Sequence, residues 1–198
     1  MSALDSIRKA AEKMTGIGRP GDRLPSLLCP PSITTFRFDD DGVIPNHPRW
    51  PLVLYRNGVA LPDDLDPAAV FEDAFESNGW GQSWRNGIYD YAHYHSRIHE
   101  VLGVARGHAQ VRFGGGRGQT VALAAGDVAI LPAGTGHQCL SASEDFLVVG
   151  AYPPSGTFDI CTSSRDRERA LATIPEVVRP QADPVYGDHG PLLKAWTD

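Results

Sequence analysis

Four residues between positions 93 and 137 have the types and the spacing of ligands for a divalent metal ion. His93 and His95 are two residues apart, Glu100 follows after a short turn, and His137 comes later in the chain. Alternate side chains of a β-strand point to the same face, so a strand over residues 88–95 would direct both imidazoles to one side. A second turn, rich in proline and glycine, would return His137 to them. Three neutral imidazoles and one carboxylate suit a divalent metal ion.

Three further side chains are candidates for the pocket around this site. Tyr89 and Tyr91 have the same parity as the first two histidines, so they should face the same interior. There they would either fill the core or place a hydroxyl near the metal, to orient a substrate or donate a proton. Cys139 lies two residues after His137 and should face with it. It would be either a small buried side chain or a thiol that coordinates the metal or is oxidised.

Strand alternation also separates side chains that are close in sequence. His99 precedes Glu100 directly, so it should point to the opposite face of the strand. We therefore expect His99 in a supporting position or on the exterior of the barrel, outside the ligand set. Arg112 shares one face of its strand with Gln110, and the sequence leaves open whether that face is the inner one. On an inner face, Arg112 would be a clamp for a substrate carboxylate or phosphate.

The composition fits one globular domain and excludes several classes of partner. The 198 residues include 41% hydrophobic and 21% charged side chains, and the formal net charge of −6 provides no basic surface for nucleic acid or anionic lipid. No apolar run approaches the ~18 residues of a membrane span, and the N-terminus lacks an apolar signal segment. The three cysteines are widely spaced and do not indicate a disulfide framework. We predict a cytoplasmic protein whose partner is a small molecule, with no nucleic acid and no membrane.

Short strands separated by glycine- and proline-containing turns dominate the centre of the chain. Strands are predicted from Ile33, over 51–55, and then over 88–95, 100–106, 109–113, 119–124, 127–131, 137–141 and 146–152. Strands this short and this regularly spaced are typical of an antiparallel sandwich or barrel. One longer helix is predicted to begin at Pro67, with Asp66 as its N-cap, and to end at Asn78-Gly79.

The sequence divides into three predicted parts. The barrel spans residues 33–165, an N-terminal helix and arm span 1–32, and a C-terminal extension packed on the barrel spans 166–198. Within the first part, residues 3–14 have the apolar spacing of an amphipathic helix. A short helix is predicted over Arg165–Leu171 at the start of the last part. A half-open barrel with such an arm has sheet edges that need covering, so we predict a homodimer.

The residues that could bind metal stand in a pattern that resembles the two motifs of the cupin superfamily. The first motif, G-x5-H-x-H-x4-E-x6-G, is matched by Gly87, His93, His95, Glu100 and Gly107. The second, G-x5-P-x-G-x2-H-x3-N, is matched by Gly126, Pro132, Gly134 and His137, with Ser141 in place of the last Asn. Because that Asn is not a metal ligand in the family, the departure affects a local contact more than the site. The residues around the first motif also resemble those of a bacterial single-domain cupin family of uncertain activity.

The resemblance implies an all-β fold: a cupin-type double-stranded β-helix, or jelly-roll barrel, with a few short peripheral helices. It implies one divalent metal ion per chain, bound by His93, His95, Glu100 and His137. Four protein ligands would saturate a tetrahedral zinc, whereas a six-coordinate metal keeps two positions open. Iron or manganese is therefore favoured, with nickel or zinc as alternatives.

The site alone allows three functions. The leading hypothesis is an oxygenase-type enzyme that acts on a small organic molecule. The second is an oxygen-independent isomerase or epimerase of a sugar or keto acid, in which a tyrosine or glutamate moves the proton. The third is a non-catalytic protein that binds a small ligand or acts as a sensor. The fold cannot choose among them, because one fold supports many functions.

Overall fold

Within residues 17–197, which the computed structural model describes, nine strands form two antiparallel sheets. The strands are β1 Ser32–Phe36, β2 Leu52–Arg56, β3 Gly81–Asn86, β4 Glu100–Arg106, β5 His108–Phe113, β6 Gln119–Ala124, β7 Val128–Leu131, β8 His137–Ala142 and β9 Leu147–Tyr152. One sheet has the order β1-β2-β7-β4-β9-β3 and the other the order β6-β5-β8. The predicted all-β class is confirmed. The helix predicted over residues 3–14 lies outside the described residues.

Two apolar layers form because strand side chains alternate between faces. On β4, Leu102 and Val104 face the core between the two sheets, whereas Val101 and Ala105 face a second core on the outer side of the larger sheet. The same alternation places Glu100 on the inner face of β4. The inter-sheet core therefore ends at the residue predicted to bind metal.

The four helices in residues 17–197 are α1 Leu24–Leu27, α2 Pro67–Ser77, α3 Ser164–Thr173 and α4 Leu192–Ala195, with 3-10 turns at Gly21–Arg23, Gly115–Arg117 and Ile174–Glu176. Three of the four place buried residues in the core on the outer side of the larger sheet, whereas α3 packs through Ala170 in a separate cluster with Tyr94 and Ile174. Helix α2 begins as predicted: the side chain of Asp66 accepts a hydrogen bond from the backbone N–H of Ala68 at 3.1 Å, and Pro67 is the first helical residue. Its buried residues pack on β4 and β9. None of the helices in residues 17–197 has the length and apolar character needed to cross a bilayer.

One predicted strand is wrong. Residues 88–95 do not form a strand, and a strand that was not predicted, β3 Gly81–Asn86, lies just before them and pairs with β9. The segment that carries the first two histidines makes single bridges to two different partners, from His93 to His137 and from Tyr94 to Cys161. Because adjacent residues pair with different parts of the chain, no continuous ladder forms. The other predicted strands match the observed ones to within one or two residues.

The C-terminal residues pack on the larger sheet through a buried tryptophan and a buried carboxylate. The indole of Trp196 donates to the carbonyl of Pro51 at 2.8 Å and stacks on Trp50 at 5.4 Å between ring centroids. Asp183 accepts hydrogen bonds from the backbone N–H of Leu192 at 3.1 Å and from the hydroxyl of Tyr55. The exact division at residues 32 and 165 stays a prediction.

Candidate metal centre

Three imidazoles meet at the end of the inter-sheet core. One ring nitrogen from each of His93, His95 and His137 lies within 4.8 Å of the others, and all three residues are buried. Backbone hydrogen bonds bring them together. The N–H of His93 donates to the carbonyl of His137 at 3.2 Å, and the N–H of His137 donates back at 2.9 Å. The N–H of Gly134 donates to the carbonyl of His95 at 2.7 Å, which fixes the turn before His137 to the loop that carries His95.

Glu100, the first residue of β4, completes the set of four. Its Oε2 atom lies 3.4 Å from Nε2 of His95 and 3.3 Å from Nε2 of His137. The side chain is buried, and Oε2 accepts no hydrogen bond from residues 17–197. Burial opposes ionisation, but the nearby His95 and His137 outweigh it and lower the pKa of Glu100 below its ordinary value. A buried anionic oxygen without a hydrogen-bond donor is one that a cation would satisfy.

Backbone carbonyls determine which ring nitrogens face the centre. Nδ1 of His93 lies 3.2 Å from the carbonyl of Tyr91, and Nδ1 of His137 lies 3.1 Å from that of Thr135. Nδ1 of His95 contacts the carbonyl of Asp159. A carbonyl can only accept, so each Nδ1 carries a proton and Nε2 is the nitrogen left to bind a metal. Burial of His95 is outweighed by the nearby Glu100, which raises the pKa of His95, so a metal bound there would replace a proton on Nε2. Burial and the neighbouring His137 lower the pKa of His93 to about 3, which keeps this imidazole neutral.

Asp159 holds the loop between His95 and Glu100. Its carboxylate accepts hydrogen bonds from the N–H of Ser96 at 2.8 Å, from the hydroxyl of Ser96 at 2.6 Å and from the N–H of Arg97 at 3.3 Å. Because its carbonyl also contacts His95, Asp159 fixes the first three residues of this segment, His95 to Arg97. Sequence reasoning missed it, because it lies 63 residues after Ser96 in an irregular segment with no motif.

A cavity of about 230 Å³ opens beside the four residues. Its wall is formed by Trp84, Arg85, Asn86, Gly87, Ile88, Tyr89, His93, His95, Glu100, Leu102, His137, Tyr152 and Phe158. Tyr152, the last residue of β9, was also missed. Its hydroxyl accepts a hydrogen bond from the indole N–H of Trp84 at 2.9 Å, and burial together with the charge of Glu100 raises its pKa. The pairing of β9 with β4, which places Tyr152 next to Glu100, could not be derived from sequence.

The structure places the three predicted pocket residues differently. Tyr89 lines the cavity, and its ring meets His93 edge-on at 5.1 Å. Tyr91 stacks on Tyr89 at 4.9 Å and does not line the cavity. The two rings are 45% and 42% exposed, so the interpretation that they fill the core is wrong. Cys139 is partly buried against the inter-sheet core and does not line the cavity.

His99 and Arg112 both lie away from the centre. His99 is buried on the outer side of β4, where Nδ1 accepts from the N–H of Ala133 at 2.9 Å and the ring packs 4.8 Å from Trp196. His99 therefore lies on the side of the chain that strand alternation predicts, away from the three clustered imidazoles. Arg112 lies on the partly exposed face of β5, opposite the buried Val111 and Phe113, so it cannot clamp a substrate inside the barrel.

The donor set fits a divalent metal ion. Three Nε2 lone pairs and one carboxylate oxygen are the donors that iron, manganese, nickel and zinc accept, and the Nδ1 contacts are the supporting hydrogen bonds that metal-binding histidines normally make. The buried cluster of His93, His95 and His137 could therefore hold a metal ion.

Two antiparallel sheets that face one another, with a histidine cluster at one end of the core between them, define a cupin with a double-stranded β-helix fold. The chain is 42% identical over 163 residues to the uncharacterized protein YjlB of Bacillus subtilis (strain 168), a match that covers 82% of this chain and 95% of that protein. It therefore belongs to the same cupin family as YjlB. No protein-family model matches the chain.

Solved structures with a similar fold have low sequence identity. An uncharacterized protein with a double-stranded β-helix domain from Klebsiella pneumoniae is 16% identical over 71% of this chain and 88% of its own, with a TM-score of 0.34. Oxalate decarboxylase from Bacillus subtilis, described with Mn(II) centres, is 22% identical over 40% of this chain and 22% of its own, with a TM-score of 0.33. Acireductone dioxygenase from Bacillus anthracis, with cadmium in its active centre, is 19% identical over 43% of this chain and 59% of its own, with a TM-score of 0.31. None of these similarities carries a functional conclusion to this chain.

Proposed function

We propose that this cupin is a metal-dependent enzyme of the oxygenase type that acts on a small organic molecule. It would hold one divalent ion per chain, iron or manganese, through His93, His95, Glu100 and His137. The observation that carries the proposal is the buried Oε2 of Glu100, which lacks a hydrogen-bond donor and lies 3.3–3.4 Å from two Nε2 atoms whose rings are fixed by backbone carbonyls.

A bound iron or manganese ion would supply Lewis acidity and redox chemistry toward dioxygen. The chain supplies the surroundings. The carbonyls behind the imidazoles hold the Nδ1 protons and so leave Nε2 as the nitrogen for the metal. Ile88 and Leu102 line the cavity with apolar surface that limits water. Tyr152 lines it too: its oxygen accepts from Trp84, and its O–H faces Glu100, so it could donate to a ligand oxygen once Glu100 is bound to the metal.

The charged groups of the cavity favour an oxygenase over an isomerase. An isomerase needs a carboxylate or another base to move a proton at carbon. Among the described residues that line the cavity, Glu100 is the single carboxylate, and it is assigned to the metal. No second carboxylate is left in the wall to act as base. Burial raises the pKa of Tyr152, which disfavours the deprotonated form that a tyrosine base would need, whereas oxygen chemistry does not require a base.

Elemental analysis of protein purified without a metal-affinity tag tests the centre. We expect one equivalent of iron or manganese in the wild type and its loss in His95→Ala and His137→Ala. The matched control is His189→Ala, which removes an exposed histidine far along the chain and should keep the full equivalent. A wild-type protein without metal, or metal that survives in both cavity variants, would overturn the site.

Comparing turnover in air with turnover under argon tests the reaction type. Once a substrate is found by oxygen-electrode screening, the oxygenase proposal requires that product formation stop without dioxygen. Turnover that continues unchanged under argon would contradict the oxygenase proposal and favour the isomerase class.

A further inference from the structure

The cavity wall beside the proposed ligands is largely aromatic and aliphatic. Apart from the metal-binding residues, its larger apolar members are Trp84, Ile88, Tyr89, Leu102, Tyr152 and Phe158. A wall of this kind favours a ligand with an apolar body, since apolar surface removed from water contributes roughly 25 cal/mol per Å².

The wall offers no free cation for an anionic ligand. Among the described lining residues, Arg85 is the single side chain with a permanent positive charge. Its guanidinium is already held by two carboxylates, with Glu72 at 2.6 and 2.8 Å and Asp66 at 2.8 Å. A substrate carboxylate or phosphate would have to compete with these ion pairs or depend on the metal alone.

Two half-exposed rings flank the imidazoles. Tyr89 and Phe158 are each 45% exposed, and they lie 5.1 Å from the ring of His93 and 5.0 Å from that of His95. Tyr152 meets Phe158 edge-on at 5.6 Å. Rings that stay partly in water beside a buried polar centre provide edges and faces for another flat ring.

One hydroxyl is oriented for a ligand oxygen. The oxygen of Tyr152 accepts from the indole of Trp84 at 2.9 Å, and Gly150 makes room for that indole, because a Cβ there would lie 2.1 Å from it. The O–H of Tyr152 faces the carboxylate of Glu100, so with Glu100 bound to the metal it can donate to a ligand oxygen at the same place.

We propose that the cavity selects a small uncharged aromatic molecule that carries a ring hydroxyl. Its ring would pack between Tyr89 and Phe158, and its oxygen would accept a hydrogen bond from Tyr152. The inference deepens the proposed function, since the same oxygen would reach the metal. It names phenols as the substrate class and excludes small carboxylates and phosphates, for which the wall has no free cation.

Calorimetric titration of the manganese-loaded protein under argon tests this selectivity with three probes. Phenol has the ring and the hydroxyl, benzoate has the ring with a charge, and cyclohexanol has the hydroxyl without an aromatic ring. We expect phenol to bind at least about tenfold more tightly than either of the others. Phe158→Ala should weaken phenol binding about tenfold and Tyr152→Phe about fivefold.

Two control variants remove an apolar side chain and a hydroxyl outside the cavity. Leu140→Ala removes an exposed apolar side chain, and Tyr186→Phe removes a hydroxyl that donates to the carbonyl of Cys29 at 2.6 Å and does not line the wall, so both should bind phenol like the wild type. Benzoate binding as tight as phenol, or phenol binding unchanged in both cavity variants, would overturn the inference. Because Tyr152→Phe keeps the ring, it decides the question even if Phe158→Ala does not fold.

Metal content measured on the same samples separates this inference from the proposed function. Protein with one equivalent of metal and no preference for phenol contradicts the aromatic cavity alone. Metal-free protein that still binds phenol in a Phe158-dependent way contradicts the metal centre and keeps the aromatic cavity.

Discussion

Asp159 acts on the candidate metal centre without being one of its ligands. Its carbonyl orients His95, and its carboxylate holds the loop that leads to Glu100. Replacing such a supporting group typically weakens metal binding by about 10–100-fold. Asp159→Ala keeps the carbonyl on His95 and removes the carboxylate that holds Ser96 and Arg97, so we expect a loss at the lower end of this range, about tenfold, when the protein competes with a chromophoric chelator. Asp188→Ala, which removes an exposed carboxylate, is the control and should match the wild type. Equal affinities in both variants would contradict the role of Asp159.

His47 makes folding stability depend on pH. It is 6% exposed, and its Nδ1 accepts hydrogen bonds from the backbone N–H groups of Trp50 at 2.9 Å and Arg49 at 3.2 Å. Burial, with the charges of Arg49 and Arg37, lowers its pKa from 6.5 to about 4. Between these two values the unfolded chain binds a proton that the native state does not. The stabilisation is therefore complete above pH 6.5 and is lost as the pH falls toward 4.

Urea denaturation at pH 7.5 and pH 5 measures this loss. Only the part of the shift between pH 6.5 and pH 5 is sampled, about 1.5 units, so at about 1.4 kcal/mol per pKa unit His47 contributes about 2 kcal/mol at most to the difference. His47→Asn keeps an acceptor and removes the titration, so its free energy of unfolding should fall less between the two pH values than that of the wild type. Equal falls in the two proteins would show that His47 does not carry the effect.

The four candidate metal ligands could be predicted from the sequence, whereas the residues that contact and orient them could not. His93, His95, Glu100 and His137 lie in a motif with fixed spacing, so their types and intervals were visible in the chain. The role of these four residues as metal ligands stays a prediction, although the structure brings them together. Asp159 and Tyr152 act through contacts made only after the chain has folded back on itself.

Strand β4 and helix α2 pack closely because Gly103 has no side chain. A Cβ at this position would lie 2.4 Å from the ring of Phe71 on α2. We expect Gly103→Ala to destabilise the protein by about 1–3 kcal/mol, because a rigid ring has to move. Gly81→Ala, in β3, has no heavy atom within 4 Å of the new Cβ and should change stability by less than about 0.5 kcal/mol. Chemical denaturation of both variants gives the comparison, and equal stabilities would contradict it.

Strands with a regular apolar alternation could be predicted, and the segment with mixed pairing could not. In β5, Ala109, Val111 and Phe113 alternate with polar residues, and this period of two marks the strand in the sequence. Tyr89, Tyr91, His93 and His95 show the same period, but backbone bridges to separate partners break the ladder. The alternation of residue types along a segment indicates which side chains share a face. It does not indicate which backbone groups will pair by hydrogen bonds.

The C-terminal residues contribute to the stability of the whole molecule. Trp196 is fully buried, donates to Pro51 and stacks on Trp50. Truncating a buried aromatic side chain costs about 3–5 kcal/mol, which lowers the Tm of a chain of this length by about 10 °C. We expect that shift for Trp196→Ala in a thermal scan and almost none for Thr197→Ala, an exposed neighbour. A Tm unchanged in Trp196→Ala would contradict it.

For the whole molecule, the family could be inferred from the sequence, while the activity and the assembly could not. The cupin motifs pointed to the fold, and the identity to YjlB shows the family. The homodimer and the cytoplasmic location stay predictions, since assembly depends on surfaces and location on cellular context. The substrate depends on a cavity wall drawn from several separate segments, whose arrangement is a property of the folded chain.

Glu100 begins β4 beside the imidazole cluster, and the preceding residue, His99, points to the opposite side and packs against Trp196. The indole of Trp196 therefore covers the back of the residue pair that positions Glu100. A change at Trp196 would reach the candidate metal centre through this pair, although Trp196 is not part of the cavity wall.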